Sequence, residues 1–309
     1  MAKRRCPVAR ERAVHLLRRR IRVLRRHVVR ARAEDPDGIH DLRVASRRLR
    51  VALKETSQVF PKRQTAQCAA RIRDITRLLG VARELDVCIA LLEKEREALQ
   101  GAPRQAATHA VRYMRRLRKK TSPQVAEAVA LIESSALKES FKQVFENASS
   151  PKTCLLDRAV KSITRQRDRL RAAYRDWRRG HTEAELHNIR IGLKKLRYAC
   201  EVYDEVYGKP LSAYLKRLKE MQEALGAWND YRVLRDRIAE SAANSPPRGD
   251  AANGVSELLS RIARLLEDSR ERIDEMAREF FHPGKDDALL QVFAAPRIRC
   301  ENCTHKPPV

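Results

Sequence analysis

Apolar residues recur along this chain at steps of three and four, and no convincing two-residue alternation of a half-buried strand appears anywhere. Val14, Leu17, Ile21, Leu24 and Val28 form the first stripe, on a segment from Pro7 to about Ala33 that is otherwise dense in arginine. Asp35-Pro-Asp-Gly38 interrupts it, and Asp37 is placed to N-cap the helix that follows. Phe60-Pro61 ends that helix. The next stripe, KRQTAQCAARIRDITRLLG, runs to Gly80, which suits a C-terminal cap before a further helix through LDVCIALLEKEREALQ. Helical stretches are expected from Arg104 to Lys120 and from Pro123 to Asn147.

Ser149-Ser-Pro-Lys152 marks a boundary, and the same style of patterning resumes beyond it. A long helix passes through Tyr174 and Trp177. Thr182 to Glu185 fits a capping box, with Thr as the cap and Glu three residues on. Gly208-Lys209-Pro210 reads as a stop, and YLKRLKEMQEALG as a helix ending at Gly226, with another starting after Asn229-Asp230. Ser241 to Gly254 reads as a flexible connector, followed by a last helix to about Phe281 and an unstructured tail from His282. The pattern predicts an all-α protein: a first helical bundle over 1–148 with an Arg-rich N-terminal helix, a second over 149–282, and a disordered tail over 283–309.

The two halves resemble each other. Ile39 to Arg50, IHDLRVASRRLR, returns 147 residues later as LHNIRIGLKKLR, Leu186 to Arg197. RIRDITRLLG in the first half likewise aligns with RLKEMQEALG in the second, each followed four residues after its Gly by an acid, Glu84 or Asp230. Two homologous helical bundles facing each other are the simplest architecture for such a duplication.

Composition sharpens this picture. The 309 residues carry a net charge of +26, are 43% hydrophobic and only 5% aromatic, and include just 10 Gly. A surplus that large makes a polyanion the expected partner: nucleic acid, an anionic membrane or a polyphosphate. No stretch has the uninterrupted apolar length of a membrane span, and the basic N-terminus lacks the apolar core of a signal peptide. Seven scattered cysteines (Cys6, Cys68, Cys88, Cys154, Cys200, Cys300, Cys303) read as reduced thiols of a cytoplasmic protein.

On a helix, His40, Arg43, Arg47, Arg50 and Lys54 share one face, while Leu42, Ala45, Leu49 and Leu53 lie round the side to face a core. The second copy repeats the row as His187, Arg190, Lys194 and Arg197, with Glu201 in place of the last cation; Arg48 and Lys195 flank the two rows. Like charges at these spacings repel by a few tenths of a kcal/mol per pair. Closely spaced phosphates would offset the repulsion, each meeting a guanidinium bidentately or an ammonium as a point charge. A lone charge run is ordinarily a solvated helix face, and the Arg-rich first helix is left to that reading. Duplication at matched positions, with histidine at the head of both rows, favours a shared ligand. Each histidine sits near a helix start among cations, which disfavours imidazolium; a neutral ring could donate to phosphate or serve a structural bond.

H-x-x-R-x-x-x-[RK]-[RK]-x-R in both halves, followed by L-G-x3-[DE], resembles the CHAD family, the conserved histidine α-helical domains. The resemblance covers about Pro7 to Phe281. It implies two bundles related by a pseudo-twofold axis around a basic central channel that binds inorganic polyphosphate, and association with polyphosphate granules in prokaryotic cells. Carried over position by position, it implies a binding set of His40, Arg43, Arg47, Arg48 and Arg50 with His187, Arg190, Lys194, Lys195 and Arg197. Arg73 and Lys219, matched cations of the helices before each Leu-Gly, are weaker members, and Lys54 joins by stripe geometry alone. Glu201 and Asn188, which stands where the first copy has Asp41, depart from the repeat.

Catalysis is not expected. Some relatives carry a fused triphosphate-processing domain with an E-x-E-x-K strand, but here Glu183-Ala-Glu185 is followed by His187 and opens a helix. No Gly-rich P-loop occurs, and no nucleophile accompanies both motif copies. No cofactor or metal is expected, although Cys300, Cys303 and His305 supply three metal-ligand residues that would need a fourth. Non-specific nucleic-acid binding through the same basic surface is the alternative; against it, aromatics are sparse and none sits as a stacking platform in the rows. Membrane binding is disfavoured because the basic helices carry small aliphatic residues, not Trp or Phe, on their apolar faces.

Overall fold

Each apolar stripe becomes the buried side of a helix. The computed structural model describes residues 6–207, 209–282 and 292–293, and among them the chain is all-α, with no strand. In chain order the helices are α1 (Pro7–Arg26), α2 (Val28–Arg32), α3 (Pro36–Glu55), α4 (Lys62–Glu97), α5 (Gly101–Lys119) and α6 (Ser122–Glu133). Then come α7 (Ser135–Glu146), α8 (Leu155–Gly180), α9 (Glu183–Tyr207), α10 (Lys209–Asn244), α11 (Asp250–Asn253) and α12 (Val255–Phe280). The capping box forms as expected: Thr182 Oγ1 accepts from the Glu185 amide at 3.2 Å while Glu185 Oε2 accepts from the Thr182 amide at 2.9 Å.

Several boundaries differ from the sequence reading. Asp35, not Asp37, caps α3, its carboxylate accepting from the Gly38 amide at 3.1 Å; Asp37 lies in the first turn, where its charge still suits the helix dipole. The Arg-rich helix breaks at His27, and the 123–147 stretch breaks at Ser134, whose hydroxyl caps α7 through the Leu137 amide at 3.2 Å. Gly80 and Gly226 are not caps. Each sits inside a 36-residue helix, α4 or α10, because the apolar stripe continues through it: Ile72, Ile75 and Leu79 lead on to Leu85, Cys88 and Leu92 without a phase change. Asn229-Asp230 likewise lies within α10. The connector carries α11, and the tail expectation falls outside the described residues except for Val292 and Phe293, which are helical and buried, with Phe293 edge-on to Tyr207.

Buried side chains divide into two cores. One joins α1, α3, α6 and α7 with the first half of α4, through residues such as Leu17, Leu49, Ile75 and Val129. The other joins α8, α9, α10, α12 and α5 with the second half of α4, around Trp177, Leu193, Tyr203 and Leu225. The division therefore falls within α4, between Ala82 and Leu85, and the 149–152 loop is tied back to earlier chain: the Ser149 amide donates to the Val59 carbonyl and the Cys6 amide to the Pro151 carbonyl, both at 2.8 Å. Cys6, Cys68, Cys88, Cys154 and Cys200 are all buried, and none of them is in a disulfide.

Two glycines separate tight packing from open space. A Cβ on Gly38 would lie 2.5 Å from Arg30 Cβ and 2.7 Å from its carbonyl carbon, whereas one on Gly226 meets nothing within 4 Å. Gly38→Ala is expected to lower the urea-unfolding free energy by about 1–3 kcal/mol, as overpacking does. Gly226→Ala is expected to raise it by about 0.5–1 kcal/mol through helix propensity.

Candidate functional site

α3 packs on α4 and on α9, α10 packs on both α4 and α9, and these four helices close a ring. At its centre lies a cavity of about 240 Å³. The two motif helices supply its cations: α3 contributes His40, Arg43 and Arg47, and α9 contributes Arg190 and Lys194. The helices of the matched Leu-Gly segments supply the facing wall, with Gly80, Arg83 and Glu84 from α4 and Gln222, Gly226, Asn229 and Asp230 from α10. A Cβ on Gly80 would come within 3.3 Å of an Arg43 guanidinium nitrogen, so the missing side chain lets that cation lie against α4.

The remaining expected site residues lie elsewhere. His187 stands beside the cavity, close to Asn229, Arg190 and Lys194, with its Nδ1 buried and without a partner. Arg48 makes a two-pronged pair with Glu201, Nε to Oε2 at 2.8 Å and Nη2 to Oε1 at 3.0 Å, and Arg197 Nε donates to the same carboxylate at 3.0 Å. Arg50 is half-buried near Arg47 and Arg73. Lys54, Arg73 and Lys195 are exposed, as is Lys219, whose ammonium lies 3.5 Å from Glu223. Among the described residues, Arg43, Arg47, Arg83, Arg190 and Lys194 form no ion pair within 4 Å.

Burial and crowding weaken every one of the lining cations whose proton affinity is displaced. Burial pushes Arg43 down to about 10, with Arg47, Arg190 and Arg83 adding to it and Glu84 opposing. Burial, then Arg47 and Arg232, also lowers Arg190. Lys194 falls to about 7, from burial first and then Arg190, Arg47 and Arg43, against Asp230. His40 and His187 are lowered by burial and then by an arginine, Arg83 for the one and Arg190 for the other, which favours the neutral rings near pH 7. Arg48 shows the opposite outcome: burial works against its charge, but Glu201 holds it above its ordinary value.

Arg83, Gln222 and Asn229 complete the cavity without having been expected from the sequence. Arg83 and Asn229 occupy matched positions three residues after each Leu-Gly, and each acts on the motif histidine of its own half. That register was the available signal. The two matched acids have different surroundings: Glu84 accepts from Arg237 Nε and Nη2 at 3.1 and 2.6 Å, whereas Asp230, among the described residues, has no ion pair within 4 Å. Cys88 also lines the cavity, its thiol pushed up to about 12 by burial and Glu84, and so neutral. No group of three or more His, Cys, Asp or Glu side chains among the described residues is arranged to hold a metal, and Cys300, Cys303 and His305 lie outside those residues. No helix among the described residues is long and apolar enough to cross a membrane.

Lys194 carries a stability signature. With its folded pKa about 7 and its unfolded value near 10.5, the unfolded chain binds the extra proton between those two pH values. The destabilisation from Lys194 is thus complete below pH 7 and is relieved as pH rises toward 10.5. Lys194→Met is expected to melt higher than the parent at pH 6, with the gap shrinking by pH 9. An equal gap at both values would place the Lys194 ammonium in solvent.

Comparison with known proteins agrees with this architecture. The family model for the CHAD domain matches residues 15–239. The chain superposes on the crystal structure of the CHAD domain from the plant Ricinus communis with a TM-score of 0.63, covering 94% of each chain at 22% identity. It also superposes on PptA from Streptomyces chartreusis with a TM-score of 0.61 at 16% identity, covering 89% of this chain and 100% of the other. Uncharacterized proteins from two strains of Mycobacterium tuberculosis are each 25% identical over 265 residues, which is 80% of this chain and 49% of theirs. The chain thus spans about half the length of those curated relatives. With the family model covering most of its length and the duplicated motif lining one cavity, this chain belongs to the CHAD family.

Proposed function

We propose that this protein binds inorganic polyphosphate, without catalysis, in the cavity between its two motif helices, and that this binding carries it to polyphosphate granules. One observation carries the reading: Arg43 and Arg47 from the first motif, and Arg190 and Lys194 from the second, face the same cavity without an ion-paired acid. Solvated helix faces would point such cations outward. A phosphate chain supplies the missing counter-charge, and each phosphate can meet a guanidinium with two oxygens. Binding is then driven by counterion release and falls steeply with salt.

Nucleic acid fits the cavity less well. A duplex is too wide to pass between four packed helices, and no Phe, Tyr or Trp lines the walls to stack the bases of a single strand. Its contacts are left to the exterior charge. The lining also favours binding over turnover, since its cysteine is held as a thiol and both motif histidines stand without a nucleophile to activate.

Long-chain polyphosphate is expected to displace DNA from the protein at equal phosphate concentration and moderate salt; retention of DNA would favour the nucleic-acid reading. Polyphosphate at a hundred times its Kd should add about 2.7 kcal/mol of stability, read as a rise in Tm. Arg43→Glu with Arg190→Glu should abolish binding while helicity and melting hold. Arg48→Ala should do the reverse, keeping affinity while costing about 1–3 kcal/mol, because Glu201 loses a charged hydrogen-bond partner. Incubation with tripolyphosphate and Mg²⁺ or Mn²⁺ should release no phosphate, and turnover by clean protein would overturn the non-catalytic assignment.

A further inference from the structure

We propose that the cavity seats the end of a phosphate chain, a terminal phosphate that still carries an acidic O–H, and that the chain leaves along α3. This rests on the polyphosphate reading and adds a polarity to it.

Unpaired cations of the motif row lead out of the cavity along α3. Past Arg47, the α3 row continues through Arg50, which senses both Arg47 and Arg73, to the exposed Lys54. Among the described residues none of these makes an ion pair within 4 Å. The equivalent path along α9 is closed. Arg197, the next cation after Lys194, is held by Glu201 together with Arg48. In the register of the repeat Glu201 stands where the first copy has Lys54, so a single exchange of cation for carboxylate removes both the last member of the row and the one before it.

The α10 wall differs in chemistry from the cationic walls of α3 and α9. Gln222, Asn229 and Asp230 share one face of α10 at steps of seven and eight residues, and all three line the cavity. Asp230 shares a hydrogen bond with the Asn229 side chain and feels Arg190 and Lys194, yet makes no ion pair with either within 4 Å, and burial, the largest influence on it, raises its pKa. Gln222 Oε1 is buried and has no hydrogen-bond partner, and His187 Nδ1 beside the cavity is in the same state. Opposite the cations of α3 and α9, the α10 wall thus offers acceptors with capacity to spare. Phosphates inside a chain are strong acids that keep no proton near neutral pH; they can only accept, and a carboxylate repels them. A terminal phosphate loses its last proton near the second pKa of a phosphomonoester, roughly 6, so it can donate to Asp230 or Gln222 while its other oxygens meet the cations. Orthophosphate carries the same group, and the measurement must separate the two.

The test uses the full chain, in salt concentrated enough to release DNA, with linear polyphosphate of defined length whose terminal phosphates are free or capped as esters. Free-ended chains should bind one protein at each end whatever their length. Capping should weaken binding by about tenfold, the loss of one hydrogen bond to a charged group. In Asp230→Asn the difference between free and capped chains should shrink below about threefold, since the repulsion of internal phosphates is gone. Equal affinity for free and capped chains, or a stoichiometry growing in proportion to length, would overturn the proposal. So would orthophosphate binding as tightly as tripolyphosphate, which would assign the seat to free phosphate. The wild-type comparison stands even if Asp230→Asn does not fold. If neither free nor capped chains bind, the polyphosphate reading itself fails, and the polarity falls with it.

Discussion

Positive charge gathered in a partly dry space, with too little negative charge beside it, is the constraint that the rest of the molecule has to satisfy. Like charges a few ångström apart in a near-surface protein environment repel by roughly 4 kcal/mol. Burial first, and then the neighbouring arginines, bring the Lys194 ammonium down to about 7. Relief from within would require acids, and the two that the fold places there do little: Glu84 is taken by Arg237, and Asp230, hydrogen-bonded to Asn229, faces several cations without an ion pair within 4 Å. Among the described residues the ring is therefore short of negative charge.

What holds the ring closed is the other side of the same helices. Ile39, Leu42, Leu49 and Leu53 on α3, and Ile189, Leu193 and Leu196 on α9, are completely buried. Each such side chain contributes about 1.5–3 kcal/mol on burial, which works against the crowding of the polar face. The Arg48–Glu201–Arg197 cluster joins α3 to α9 directly, and the Tyr203 hydroxyl adds a contact by donating to Glu55 at 3.3 Å. Apolar burial thus supplies the closure, while the paired charges fix how the two motif helices sit against each other.

Much of this was legible in the sequence, and what was not has identifiable causes. The three- and four-residue stripes gave the helical class, and the duplication gave the pair of motif helices that share the cavity. Gly80 and Gly226 were misread as caps because a glycine at the end of a periodic segment is most often one; only the unbroken phase of Leu85, Cys88 and Leu92 argues otherwise. Arg83, Gln222 and Asn229 are isolated polar residues on amphipathic helices, and nothing local distinguishes them until α4 and α10 close over the motif helices. Glu201 was visible as a departure from the repeat. Its capture of Arg48 was not, since that pair spans 153 positions and exists only once α3 and α9 are side by side.

The placement of the core division within α4 bears on how the molecule comes apart. A helix whose first half is buried in one core and second half in the other transmits loss of order between them, because neither can release its portion without exposing the other's apolar face. Cutting the gene between α7 and α8 would therefore yield fragments that each lack a wall, not two autonomous lobes. The chain carries its motif twice, but its thermal unfolding should follow the logic of one cooperative body, with the cation-lined ring sitting at the seam between the two cores.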